Sequence, residues 1–122
     1  MKTIVVVDDE FGLVDVVAMV LSDAGYRVFT ASNGVQGLET MRENPPSLVL
    51  LDYMMPLMDG AEVLEAMRAD ARLGAVPVIC MSSLPESTVS QRCQGYRAFL
   101  RKPFDFDKLI AAVRSALGAP DV

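Results

Sequence analysis

Four places in this chain put a chemically useful side chain directly after a short apolar run. Asp8-Asp9-Glu10 follows Thr3 to Val7, Asp52 follows Leu48 to Leu51, Ser82-Ser83 follows Pro77 to Met81, and Lys102 follows Ala98 to Arg101. If the first and third runs lie side by side, Asp8, Asp9 and Asp52 crowd at one end of them. Like charges packed this way repel, so the cluster is costly unless a cation sits among its members. Oxygen donors with no imidazole beside them select a hard divalent ion, Mg²⁺ before Ca²⁺, because so few protein ligands leave room for waters and a phosphate oxygen. Each residue alone has an ordinary explanation. Asp9 and Glu10 suit a helix N-terminus, worth ~0.3–1 kcal/mol; Asp52 suits a turn ahead of Pro56 and Asp59-Gly60; Ser82 is a small residue leaving a strand; Lys102 can be a solvated lysine. Two acids, a third acid, a hydroxyl and an ammonium at four successive run ends are poorly explained as coincidence.

What is missing narrows the chemistry further. With no His in 122 residues there is no imidazole for a Ser-His-Asp or Cys-His group, a zinc site or a phosphohistidine of the chain's own. Cys80, in an apolar run, and Cys93, in a polar one, lack metal or redox spacing and read as structural thiols of a reducing compartment, which implies a cytoplasmic protein. A net charge of -5 argues against nucleic acid as a direct partner. The acids are concentrated: residues 1–65 hold 11 acids and 3 bases, residues 66–122 hold 5 acids and 8 bases. No apolar run approaches the ~18 residues that span a bilayer, so no membrane segment is expected. The length suits one domain, 1–122.

The elements that must position these residues follow from periodicity. Unbroken β-branched and aliphatic runs at Thr3 to Val7 and Leu48 to Leu51 read as strands buried on both faces, as in a parallel sheet. Arg27 to Ala31, Pro77 to Met81 and Ala98 to Arg101 supply three more strands. The first helix carries Val14, Val17, Ala18 and Leu21 at helical spacing and stops at Gly25. A second covers Val35 to Arg42 and ends at Pro45-Pro46; a third runs from Asp59-Gly60 to about Asp70. Pro85 to Gln94 reads as a short, weak helix, rich in Ser and Thr, with Val89, Cys93 and Tyr96 poorly accounted for as core. The last helix starts at an Asp105 cap, is expected to bury Phe106, Ile110, Val113 and Leu117, and ends at Gly118 before Pro120. Five alternations of strand and helix predict a doubly wound α/β fold, a flavodoxin-like three-layer sandwich with a parallel sheet in order 2-1-3-4-5. Its ligand site falls at the carboxyl ends of the strands, beside the switch point between strands one and three.

Val5-Val6-Val7-Asp8-Asp9-Glu10, Leu50-Leu51-Asp52-Tyr53-Met54-Met55-Pro56-Leu57-Met58-Asp59-Gly60, Pro77-Val78-Ile79-Cys80-Met81-Ser82 and Phe99-Leu100-Arg101-Lys102-Pro103-Phe104 resemble, in order and spacing, the receiver domain of two-component response regulators. The resemblance covers essentially the whole chain. It implies that Asp52 accepts a phosphoryl group from the phosphohistidine of a sensor histidine kinase or phosphotransfer protein. It further implies that Asp9 binds Mg²⁺ directly, with Asp8 close by or acting through water, and with Asp52 and the backbone carbonyl of Met54 completing the protein ligands; Mn²⁺ would be able to substitute. Lys102 would pair with the phosphoryl oxygens and Ser82 would hydrogen-bond one of them. Ser82 and Phe99 are the implied switch pair, Ser82 standing where Thr is more frequent and Phe99 where Tyr is common, while Ser83 adds a second hydroxyl at the next position. A cis peptide before Pro103 is expected from the resemblance and from the sharp turn needed to aim Lys102 inward.

Two other classes compete. A Mg²⁺-dependent aspartyl-phosphate enzyme acting on a small metabolite would need a second acid two residues beyond the nucleophile, where this chain has Met54. A flavodoxin-like electron carrier would offer Gly, Ser and Thr donors after strand one, where Asp8-Asp9-Glu10 would repel a bare phosphate. The reading is therefore a phosphoacceptor switch whose only catalysis is its own phosphoryl transfer and hydrolysis. Its output is expected on the face from Pro85 to Leu117, where Arg92, Arg97, Arg101, Lys108 and Arg114 gather, toward a partner left open, a second copy of the chain included.

Overall fold

A computed structural model of the chain describes residues 1–118. Strands β1 (Thr3–Val7), β2 (Arg27–Ala31), β3 (Leu48–Asp52), β4 (Val78–Ser82) and β5 (Ala98–Arg101) alternate with helices α1 (Phe11–Asp23), α2 (Gly34–Glu43), α3 (Gly60–Ala69), α4 (Glu86–Val89) and α5 (Phe106–Leu117). The strands form one parallel sheet in the order β2-β1-β3-β4-β5, as the alternation predicts. Pro120, expected to follow the last helix, lies outside the described residues. Among those residues no helix is long and apolar enough to cross a membrane.

The two-residue period of the strands divides the core. Val5 and Val7, Val49 and Leu51, and Val78 and Cys80 face Leu38, Met41, Val63, Leu64 and Met67 of α2 and α3. Ile4 and Val6, Leu48 and Leu50, and Ile79 and Met81 face Val17 and Leu21 of α1 and Leu109 and Val113 of α5. Burial on both faces is why the central strands carry almost no polar residue until their last position. Gly25 ends α1 at φ 102°, where a side chain would be strained, and the Tyr26 N–H turns back to the Leu21 carbonyl.

Four expectations need correction. The helix expected over Pro85 to Gln94 is a single turn, Glu86–Val89, since Pro85, Ser87 and Thr88 support little more. Val89 and Cys93, expected to be poorly placed as core, are buried in the α2–α3 cluster, against which Tyr96 packs half-buried. In α5, Leu109 and Val113 rather than Phe106 meet the sheet; Ile110 and Leu117 are only partly buried and Phe106 is 43% exposed. The sequence carries two apolar stripes about one residue apart around α5, and the aromatic contact to this layer comes from Phe104 ahead of the helix. Strand β4 also runs one residue later than expected, because Ser82 keeps the ladder by accepting the Lys102 N–H at 2.8 Å.

Candidate functional site

The sheet holds each candidate residue by its backbone before any side chain acts. The Asp8 N–H donates to Ala31 of β2, the Tyr53 N–H just after Asp52 donates to Met81 of β4, and the Lys102 N–H donates to Ser82. These bonds place the ends of β1, β3, β4 and β5 at one edge, beside the point where chain order reverses.

Carboxylate oxygens of Asp8, Asp9 and Asp52 lie within 4.8 Å of one another, with Asp8 and Asp52 buried and Asp9 the most exposed of the three. The Lys102 ammonium enters from the opposite strand edge, 2.8 Å from Asp8 Oδ2, 2.9 Å from Glu10 Oε1 and 3.3 Å from Asp52 Oδ1. The other Asp8 oxygen accepts the Glu10 N–H at 2.9 Å. One ammonium is therefore shared by three carboxylates, with Asp9 the further acid of the cluster. Burial first, and then the neighbouring Asp8 charge, push the Asp52 carboxyl up to about 7 against the pull of Lys102. Burial works against the Lys102 charge, yet hydrogen bonds to Asp8 and Glu10 raise the ammonium above its ordinary value, so it stays protonated. The Lys102–Pro103 peptide is cis.

Ser82 is buried, and its Oγ accepts the Leu84 N–H at 3.0 Å; Ser83 is exposed, with its carbonyl taking the Arg101 Nε. Phe99 is half-buried against the α2–α3 core cluster, its ring centroid 6.1 Å from that of Tyr96. Met54 reaches outward, 56% exposed, on the rim of a cavity of about 460 Å³ lined also by Tyr53, Met55, Pro56, Asp59 and Arg92.

Several features escaped sequence reasoning. Glu10 is a direct partner of Lys102, signalled only by its place beside Asp8-Asp9. Asp59 caps α3 through the Glu62 N–H, with Glu62 returning the bond, and its other oxygen meets Arg92 at 3.3 Å; the D-G-x-E spacing could have revealed the capping box. Leu57 has φ 70° and is 98% exposed, a left-handed backbone that its residue type gives no hint of. Gly60 is required by contact: a Cβ there would sit 2.8 Å from the Asp52 carbonyl oxygen and from Tyr53 Cα, so α3 could not start so close to the end of β3.

Comparison with known proteins places this geometry. The family described as the response regulator receiver domain matches residues 4–114. The response regulator Rre1 of Synechocystis is 38% identical over 120 residues, which cover 94% of this chain and 51% of that protein. Sporulation initiation phosphotransferase F of Bacillus subtilis is 35% identical over 118 residues, covering 95% of this chain and 94% of that one. Among solved structures, the chemotaxis response regulator CheY4 of Vibrio cholerae superposes with a TM-score of 0.90 at 27% identity, over 96% of this chain and 99% of that one. The response regulator TrrA of Thermotoga maritima, solved in complex with Mg²⁺-BeF, gives 0.82 at 30% identity over 96% of this chain and 100% of that one. The chain spans about half the length of several regulators it matches, including Rre1 and the DNA-binding regulator RpaA of Synechocystis. From its sheet order, its acid cluster and these likenesses, the chain belongs to the receiver domain family of two-component response regulators.

Proposed function

We propose that the chain is a phosphorylation-controlled switch in which Asp52 takes a phosphoryl group from the phosphohistidine of a sensor histidine kinase or phosphotransfer protein. The observation that carries this reading is the Asp52 carboxylate at the end of the central strand, gathered with Asp8 and Asp9 and 3.3 Å from the Lys102 ammonium. In the transfer an Asp52 oxygen bonds to phosphorus as the bond from phosphorus to imidazole nitrogen breaks, which requires a positioned nucleophile and a cation facing the equatorial oxygens. Lys102, oriented by Asp8 and Glu10, is that cation. Ser82 Oγ accepts the Leu84 N–H and keeps its own proton to donate to a phosphoryl oxygen.

The donor set fits a small hard cation: Asp8, Asp9 and Asp52 bring three carboxylates together, two of them buried, while the Lys102 ammonium reaches Asp8 and Asp52 and is shared with Glu10. Asp8, Asp9 and Asp52, with the Met54 carbonyl, would hold Mg²⁺, or Mn²⁺ in its place, supplying charge neutralisation at the carboxylates and phosphoryl oxygens. Asp52 hydrolysis of its own phosphoryl adduct would reset the switch. Movement of Ser82 toward the phosphoryl oxygens would open room for Phe99 to turn further inward, biasing an existing equilibrium at α4, β5 and α5. Arg92, Arg97, Arg101, Lys108 and Arg114 border that face and suit an acidic protein partner rather than nucleic acid.

Incubation with acetyl phosphate and Mg²⁺ should add the mass of one phosphoryl group to the wild-type chain and none to Asp52→Asn. Label on Asp59 or a serine in that variant would overturn the assignment of Asp52.

A further inference from the structure

We propose that the cavity beside Lys102 is a leaving-group subsite, in which Glu10 selects an imidazole-based phosphodonor over one that departs as a carboxylate. Such a role rests on the phosphoacceptor reading of Asp52 and adds to it the part of the donor that the chain recognises. The cavity, about 280 Å³, is lined by Glu10, Leu13, Ser83, Lys102, Pro103 and Phe104. The larger cavity bounded by Met54 and Arg92 shares no lining residue with the carboxylate–ammonium cluster, whereas this one shares Glu10 and Lys102. Because the same ammonium lies 3.3 Å from Asp52 Oδ1, a phosphoryl group held between Asp52 and Lys102 borders this cavity.

Glu10 is available for the task because of how α1 begins. It occupies the N-cap position, yet its side chain makes no capping hydrogen bond, and its own N–H is spent on Asp8 Oδ1. One carboxylate oxygen, Oε1, accepts from Lys102 at 2.9 Å, and the other has no hydrogen-bond partner among the described residues. The Glu10 side chain is 60% exposed, so an incoming group can reach it. Leu13 and Phe104, half-buried against the α1–α5 core cluster, give the cavity apolar walls on which a flat ring can pack, and Ser83 adds a hydroxyl at its edge.

The charge on Glu10 then favours one leaving group. In transfer from a phosphoimidazole protonated on the nitrogen remote from phosphorus, an Asp52 oxygen bonds to phosphorus and the phosphorus–nitrogen bond breaks, its electron pair passing to the ring. Glu10 accepts the N–H of the remote nitrogen throughout, so that the proton stays on the ring and the ring departs as neutral imidazole. A donor such as acetyl phosphate develops negative charge on its departing carboxylate in the same place, where Glu10 repels it.

The test uses the whole chain with Mg²⁺ and two small donors, monophosphoimidazole and acetyl phosphate, with the rate of labelling followed by intact mass. In Glu10→Gln the ratio of the two rates, imidazole donor over acetyl donor, should fall about tenfold. In Glu10→Lys it should fall further, with acetyl phosphate reacting faster than it does with wild type. A Glu10 that served only to hold Lys102 would slow both donors together. A ratio within about twofold of wild type in both variants would therefore overturn the subsite and leave the assignment of Asp52 standing. A wild-type chain labelled by neither donor would overturn the phosphoacceptor reading, and the subsite with it.

Discussion

Replacing Asp52 with Asn should stabilise the metal-free protein, although it removes a partner of Lys102. Burial and the Asp8 charge raise the Asp52 carboxyl from 3.8 to about 7. A group whose folded value is raised contributes stability below its unfolded value and loses it as pH rises through the folded value, so wild type weakens between about pH 4 and 7 and levels off above. Three units at 1.36 kcal/mol each give about 4 kcal/mol at pH 8. Asn keeps the shape and drops the charge, while Lys102 loses one of its three carboxylates, leaving a gain of about 2–4 kcal/mol. For a chain of this length that is roughly 6–20 °C in Tm. Thermal melts in EDTA at pH 8 and at pH 4 would measure it. The gap should nearly close at pH 4, and at pH 8 it should shrink as Mg²⁺ is added and binds the folded wild type. A variant no more stable than wild type at pH 8 in EDTA, or a gap undiminished at pH 4, would refute the reasoning.

Millimolar Mg²⁺ should raise the wild-type Tm in proportion to RT ln(1 + [Mg²⁺]/Kd), and Asp9→Asn should lose that gain in the same melts. Leu57→Gly should stabilise by about 1 kcal/mol in urea titration, because φ 70° strains Leu but not Gly and the side chain is almost wholly exposed. Gly60→Ala should cost about 1–3 kcal/mol in the same assay, its Cβ meeting backbone on Asp52 and Tyr53 that no rotamer can move aside. Beryllofluoride should alter amide exchange between Leu84 and Arg114 as well as in the loops after Asp8, Asp52 and Ser82; changes confined to those loops would show that the switch stops short of the output face.

The strands, the sheet order and the residues at the strand ends were legible in the sequence because their signals are local or stereochemical. Runs such as Ile4 to Val7 are apolar on both faces, as strands of a parallel sheet are, and right-handed crossovers then put their carboxyl ends on one edge. Gly25 and Asp105 announced the helix ends that they form, since a left-handed cap and a side-chain acceptor act within one turn. Tertiary structure alone decided which of two apolar stripes on α5 meets the sheet, because a rotation of about one residue leaves the pattern unchanged and only the packing of Leu109 and Val113 distinguishes the two. It also decided that Lys102 is shared with Glu10 and that Arg92 reaches Asp59. Those pairs join side chains distant in sequence, and their distances depend on the exit path of each strand and the single turn of α4, which no periodicity encodes.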